Sequence, residues 1–264
     1  MDLKLKDKVV LITGGAGIEG SIGQTMVFAL AAEGAIPLIM DRNARGFDYE
    51  KRLQEKTPKA RFFQTDLSKP EEIERSISQI SKEFPSIDVI INNVGVNDGA
   101  GLDSSIDDFL YSLHLNLISY FATVKYSLPL LKKTGGNILN IGSKVALTGQ
   151  GGTSGYAASK GGVLGLTREW AVDLIKDKIR CNALIIAESM TPAYQNWLDT
   201  LDDGAEKKKA IEDKIPLENR MTTPEEIADM AMFLISERSS HTTGQYIFVD
   251  GGYVHLDRAL LSNK

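Results

Sequence analysis

NILNIGSKVALTGQGGTSGYAASK, residues 137–160, is the stretch whose reading decides this chain of 264 residues. It runs from an apolar strand pattern (137–143) through a glycine-rich loop into a helix. Tyr156 and Lys160 stand four residues apart in YAASKGGVLGLTREWAVDLI, whose apolar positions recur with helical period. That spacing puts the phenol and the ammonium on one helix face, a turn apart. A free tyrosine titrates near ~10, so service as a base near neutrality needs a lowering of roughly 2–3 units, about 3–4 kcal/mol. One cation held ~4 Å away at an effective dielectric of ~20 supplies about that much. The spacing alone is equally that of an ordinary helix carrying a Tyr and a Lys. Ser143, thirteen residues before Tyr156, ends the strand where its hydroxyl could donate to the same substrate oxygen.

The pattern of strand followed by helix repeats outward in both directions. VVLIT (9–13) precedes a helix near 21–33, IPLIM (36–40) a polar helix near 48–56, and ARFFQTD (60–66) a helix near 70–83. DVIINNVG (88–95) leads to a long helix near 104–131, and CNALIIA (181–187) to a polar helical excursion at 192–214. Residues 216–236 read as a turn and then a helix, with Thr223 as the cap ahead of Pro224-Glu225-Glu226. QYIFVDGG (245–252) closes the series. Seven strands alternating with helices predict an α/β fold, a doubly wound parallel sheet of Rossmann type. Ligands of such sheets bind at the carboxyl ends of the strands. No repeat, low-complexity tract or linker intervenes, so 1–264 reads as a single domain. The charged excursion at 192–214, with Tyr194 and Trp197 in it, reads as a lid over the site.

Bulk properties narrow the function class. Apolar residues make up 42% and charged residues 25%, as in ordinary soluble domains. A net charge of −5 and no Lys/Arg run argue against a nucleic-acid partner. No apolar stretch reaches the ~20 residues that cross a bilayer. MDLKLKDKVVLITGG passes from a polar start into a strand without a secretory leader pattern. The one cysteine, Cys181, allows no internal disulfide and reads as a small buried strand residue. A cytoplasmic protein is expected. His114, His241 and His255 are scattered, and no spacing of His, Cys, Asp and Glu predicts a metal site.

The turn after the first strand, TGGAGIEGSIGQT, suits a dinucleotide. Gly14 and Gly15, with Ser21 and Ile22 at the helix start, let backbone N–H groups approach a pyrophosphate. Asp41 closes the second strand, where a carboxylate accepts ribose hydroxyls and repels a 2′-phosphate. The cofactor expected is therefore NAD. Arg42 directly follows and could pair with that phosphate, which keeps NADP as the lesser option. Asp41 as a plain turn or cap residue is the alternative.

In this order the motifs resemble the short-chain dehydrogenase/reductase family over about residues 8–253. The resemblance implies that Ser143, Tyr156 and Lys160 are catalytic. It gives Asn116, a polar residue in LHLNLISYF, a water-holding role in a proton relay from Lys160; the alternative is a satisfied core amide. It implies adenine contact at Asp66 and Leu67, close passage of Asn93, Val94 and Gly95 by the adenosine ribose, and cofactor contact at Ser189 and Thr191, Thr191 at the nicotinamide carboxamide. A homotetramer built on the long helices is also implied. Two departures stand out. The glycine turn is about three residues longer than the usual Thr-Gly-x-x-x-Gly-x-Gly, with Ser21 for the middle glycine, as in enoyl reductases. Ile186-Ala187 replace a usual Pro-Gly.

A narrower resemblance, to bacterial L-fucose dehydrogenases, rests on GVNDGAGLD (95–103), residues 143–162, LTREWAV (166–172), ESMTPAYQNW (188–197) and HTTGQYIFVDGGYVHLDRAL (241–260). The polar loop residues suit a sugar: Asn97, Asp98, Gln150, Thr153 and Glu188 as hydroxyl partners, with Trp197 beside them. The tail would close the site or build a subunit contact. The implied reaction takes hydride from C1 of an aldopyranose to C4 of the nicotinamide while Tyr156 takes the hydroxyl proton, leaving an aldonolactone. Ser143 steadies the carbonyl oxygen and Lys160 holds Tyr156 ionised and binds the nicotinamide ribose. Rival readings are a reductase of a 3-oxoacyl thioester, a keto-sugar acid or a steroid, and a non-catalytic nucleotide-binding regulator.

Overall fold

The computed structural model describes residues 1–257. Its strands are Val9–Thr13 (β1), Ile36–Asp41 (β2), Arg61–Gln64 (β3), Val89–Asn92 (β4), Asn137–Ser143 (β5), Arg180–Ile186 (β6) and Tyr246–Val249 (β7). They form one sheet in the order β3-β2-β1-β4-β5-β6-β7. Every pairing is parallel. This is the doubly wound fold expected. Strands buried on both faces account for the near-continuous apolar runs: all of β5 is buried, and Val10, Leu11 and Ile12 of β1 are wholly so.

Alternate side chains go to opposite faces. Leu11 joins one core with Ile73 and Ile77 of helix Pro70–Glu83 (α3 below), Leu130 and Trp170. Val10 and Ile12 join the other with Met26, Leu30, Ile227 and Ala231. The helices in chain order are Ile22–Ala32 (α1), Gly46–Gln54 (α2), Pro70–Glu83 (α3), Ile106–Leu113 (α4), Ser119–Leu131 (α5), Val145–Thr148 (α6), Ser154–Asp173 (α7), Pro192–Asp199 (α8), Gly204–Glu212 (α9) and Pro224–Ile235 (α10). Chain direction across the sheet reverses between β1 and β4, which opens a crevice at their carboxyl ends.

Four strands end earlier than the runs read from the sequence, β6 by one residue at Ile186. β3 stops at Gln64, β4 at Asn92 and β7 at Val249. Just beyond β3 and β4, Asp66 and Asn93 line the crevice. The expected long helix at 104–131 is interrupted by a π-turn at His114–Ile118 between α4 and α5. Asn116 sits in that widened turn, and its amide donates back to Ser112 O at 3.0 Å. Such turns free main-chain groups and re-aim side chains. The excursion at 192–214 is two short helices, α8 and α9, with a break between Thr200 and Asp203. The Thr223 cap forms as read: its hydroxyl accepts from Glu226 N (3.3 Å) while Glu226 accepts from Thr223 N (2.9 Å). Among the described residues no helix is long and apolar enough to cross a membrane. Residues 258–260 of the tail segment lie outside the described residues.

Candidate active site

The crevice holds a cavity of about 330 Å³. Its wall at the β1–α1 turn includes Gly14, Ser21 and Ile22. Gly14 has φ +71°, and a Cβ there would stand 2.8 Å from Val94 Cα, so only glycine lets the two backbones pass. Ser21 caps α1 without bonding its own helix, and its Oγ is buried with no partner. Tyr49 braces the turn by donating to Gly17 O (2.8 Å), and Gln24 by accepting from Gly20 N (2.9 Å). An unsatisfied buried hydroxyl beside a helix N-terminus fits an anionic group. Gly15 is set differently from Gly14. It is buried facing the core, where a Cβ would meet Val27 Cγ2 at 2.8 Å and Ile39 Cγ2 at 3.0 Å. It permits helix–strand packing and does not line the groove.

Asp41 and Arg42 line the groove at the end of β2. The Asp41 carboxylate accepts from Ala16 N and Asn43 N, both at 2.9 Å, so it braces the turn and faces the groove at once. Asp66 and Leu67 lie beyond β3. Burial raises the Asp66 carboxyl, but hydrogen bonds from Ser68 and the Lys69 ammonium outweigh it and hold it below its usual range. Asn93 binds two strand ends together: its amide donates to Thr13 O and Gly14 O at 3.0 Å, and its N–H to Thr13 Oγ1 at 3.1 Å. Val94, Gly95 and Thr191 complete this side. Ser189 is buried behind it, its Oγ also without a partner.

Tyr156 and Lys160 face the same cavity from α7. The Ser143 hydroxyl is close enough to Tyr156 to pull its phenol down. Lys160 donates to Ile141 O at 2.8 Å and to Tyr120 Oη at 3.0 Å, and its ammonium lies 5.6 Å from the Tyr156 ring centre. The expected lowering of the phenol is not what this arrangement produces. Burial holds Tyr156 up at about 12, against the pull of the Ser143 hydrogen bond and with the Asp98 charge adding to it. Burial likewise pushes Lys160 down to about 7. Burial thus disfavours both charges, and Lys160 is the first of the two to lose its proton, near neutrality. A Cβ on Gly95 would meet Lys160 Nζ at 3.2 Å and Asn116 Oδ1 at 3.3 Å, so the chain crosses tightly over both.

Asn116 has every end of its amide engaged. Oδ1 accepts from Val96 N (2.8 Å), and Nδ2 donates to Val96 O and Ser112 O (both 3.0 Å). The side chain clamps the loop after β4, as a satisfied core amide would. Tyr120, not singled out from the sequence, lies between Val94 O (3.0 Å) and Ile141 O (3.2 Å) and takes the Lys160 bond. Its spacing of four from Asn116, on the same helix face, was the available signal.

The sugar-facing residues are less gathered. Asn97 and Gln150 are exposed on two loops that meet where Gly155 N donates to Ala100 O (2.9 Å). Asp98 accepts from Ser112 Oγ (3.1 Å). Thr153 caps α7 without a side-chain bond. Trp197 is 42% exposed, edge-on to Tyr194 at 5.3 Å. Glu188 is half-buried and pairs with Lys144, while Tyr194 Oη donates to it at 2.9 Å. None of the six expected substrate residues lines the main cavity. Lys144 and Tyr194 carried no signal as a pair, because they are fifty residues apart.

The family model described as enoyl-(acyl carrier protein) reductase matches residues 15–254. The chain is 33% identical to dehydrogenase/reductase SDR family member 6 of Rattus norvegicus, over 95% of this chain and 98% of that protein. The chain belongs to the short-chain dehydrogenase/reductase family. It is an NAD(P)-dependent oxidoreductase of that family. It is also 31% identical to the L-fucose dehydrogenase of Bos taurus, over 96% of this chain and 91% of that one. The crystal structure of Cj0485 dehydrogenase superposes with a TM-score of 0.93 at 43% identity, covering 98% of this chain and 99% of that one.

Proposed function

We propose that this family member oxidises C1 of an aldopyranose, L-fucose or a related sugar, to the aldonolactone with NAD+. The observation that carries the reading is the meeting of Ser143, Tyr156 and Lys160 at one end of the groove, under loops with polar side chains. Similarity to an L-fucose dehydrogenase supports the sugar class. Asp66, Leu67, Asn93, Val94 and Gly95 would hold the adenosine half of the cofactor, Ser21 and Ile22 the pyrophosphate, and Ser189 and Thr191 the nicotinamide end. NAD+, when bound, supplies the hydride acceptor. Asp41 favours NAD over NADP, because its carboxylate is fixed by two N–H bonds where a 2′-phosphate would lie; Arg42 beside it keeps NADP as the lesser option.

Tyr156 takes the proton of the anomeric hydroxyl. Ser143 donates to the oxygen as it becomes a carbonyl. Lys160 supplies the compensating positive charge, and Asn116, whose side chain holds the loop over both, would carry the relay water. Asn97, Gln150, Thr153, Glu188 and Trp197 form the sugar-facing set. The exposed apolar side chains Ile106, Leu110, Tyr111 and Phe121 on α4 and α5 suit a homotetramer, which light scattering would test, in the cytoplasm. The 192–214 segment is the lid. A second reading, a reductase of an acyl thioester carbonyl, is favoured by the family model's description and the long glycine turn.

A spectrophotometric screen with NAD+ and NADP+ against L-fucose, related aldoses and oxoacyl thioesters decides between them. NADH formation with L-fucose or its stereochemical neighbours is expected; turnover confined to another class overturns the sugar assignment. Tyr156→Phe should lower turnover by about 100-fold or more while NADH binding survives. Equal loss of binding would give Tyr156 a structural role.

A further inference from the structure

Lys144 and Glu188 form a nearly buried ion pair, with side chains 10% and 14% exposed. Burying two charges rarely stabilises a fold, since apolar side chains of the same volume serve as well. Its placement gives it another use. Lys144 directly follows Ser143, and its own N–H donates to Ile186 O (2.8 Å). Glu188 lies between Ile186 and Thr191, both of which line the groove. Tyr194 of α8 donates to the second carboxylate oxygen at 2.9 Å. The Lys144 ammonium also stands 4.3 Å from the Tyr253 ring centre, beyond β7. Lys144 and Tyr194 therefore meet at the Glu188 carboxylate, and Tyr253 packs against the ammonium of the pair. A carboxylate has about four acceptor sites, and among the described residues Lys144 and Tyr194 hydrogen-bond to two of them.

Resting on the sugar reading above, we propose that the Lys144–Glu188 pair sets the charge class of the substrate, with Lys144 and Tyr194 as positioning residues that aim Glu188 at the hydroxyls of a neutral polyol. The pair is balanced, so a neutral sugar meets a hydrogen-bonding carboxylate and no net charge. An acidic sugar meets a carboxylate whose counter-charge is already engaged. Removing the Glu188 charge leaves Lys144 uncompensated beside Ser143 and invites an anion. Removing the Lys144 charge does the reverse.

The test compares kcat/KM for L-fucose and D-galacturonate in wild type, Glu188→Gln, Lys144→Met and Tyr194→Phe, with NADH affinity measured alongside. E188Q should lose about tenfold on L-fucose and raise the galacturonate-to-fucose ratio about tenfold, on the scale of one charged hydrogen bond. K144M should lower that ratio. NADH affinity should stay within about twofold in all three. A ratio unmoved in E188Q, or moved the same way in E188Q and K144M, overturns the proposal. Should K144M fail to fold, K144M/E188Q removes both charges; it should lose the fucose rate without gaining galacturonate, and a gain would overturn the proposal. If the wild type oxidises no sugar, the function reading fails while this one stays testable. Hydrogen exchange of residues 188–199 in the ligand-free enzyme should then lose about tenfold protection in K144M and Y194F, and unchanged protection overturns the positioning roles. The charge rule would be read on neutral and acidic members of whichever class turns over.

Discussion

Tyr156 and Lys160 show how far one spacing can be read. Their helix period puts them on one face, as expected, but the period says nothing of what else touches the ammonium. Ile141 O and Tyr120 Oη take its hydrogen bonds, and burial acts on both partners. The first proton leaves near 7, from Lys160, and the resulting amine can take the phenol's proton, giving the Tyr156 phenolate beside a Lys160 ammonium that acts as base. Oxidation should therefore rise with pH through about 7 and level off above it. In Lys160→Met only the phenol remains, held near 12, so the rising limb should move strongly alkaline and the rate near neutrality should fall at least about a hundredfold. A pH–rate profile of both proteins checks this; an unmoved limb would remove Lys160 from the proton step. The same shift is a stability statement. The unfolded chain keeps the Lys160 proton up to about 10.5 and the folded one releases it at about 7. Between those values the unfolded state binds more protons, so stability from this group rises with pH. Urea titrations of K160M should lack that rise.

At the scale of elements, the β1–α1 turn is held by close approach and not by the count of its glycines. Gly23 has no room for a methyl: a Cβ there would lie 2.0 Å from Gly14 O. Gly23→Ala should push the turn off the N-terminus of α1 and weaken NADH binding about tenfold or more, with the far-UV spectrum retained. Fluorescence titration measures it, and unchanged affinity would separate this turn from the cofactor. The π-turn between α4 and α5 works the other way. It widens the helix where Asn116 clamps the loop after β4, so one element carries both the loop and, through Tyr120, a contact to Lys160. α8 reaches the first turn as well: a Cβ on Gly20 would meet Pro192 at 3.4 Å. The excursion thus starts in contact with both the glycine turn and Glu188.

Across the whole molecule, the two faces of the seven-stranded sheet bury most strand side chains, and Cys181 lies among them in β6, between β5 and β7. It is wholly buried, and burial pushes its thiol well above the usual value. A thiol reagent should leave the native enzyme unlabelled, and labelling should track the urea unfolding transition. Fast labelling without denaturant would mean that β6 opens locally.

The strand–helix alternation, the parallel sheet, the Thr223 cap and the Ser-Tyr-Lys arrangement were legible in the chain alone, because each rests on periods and spacings within a few dozen residues. Gly15 turning into the core, the splitting of 104–131 at Asn116, and the direction of the Tyr156 shift were not. Each depends on neighbours from distant segments: Val27 and Ile39 for the glycine, Val96 for the amide, Tyr120 and Ile141 for the lysine. The Lys144–Glu188–Tyr194 contact is of the same kind, since packing alone decides which far-apart side chains share a dry space. Local pattern sets the elements and their order; the electrostatics of the site are a property of what surrounds it.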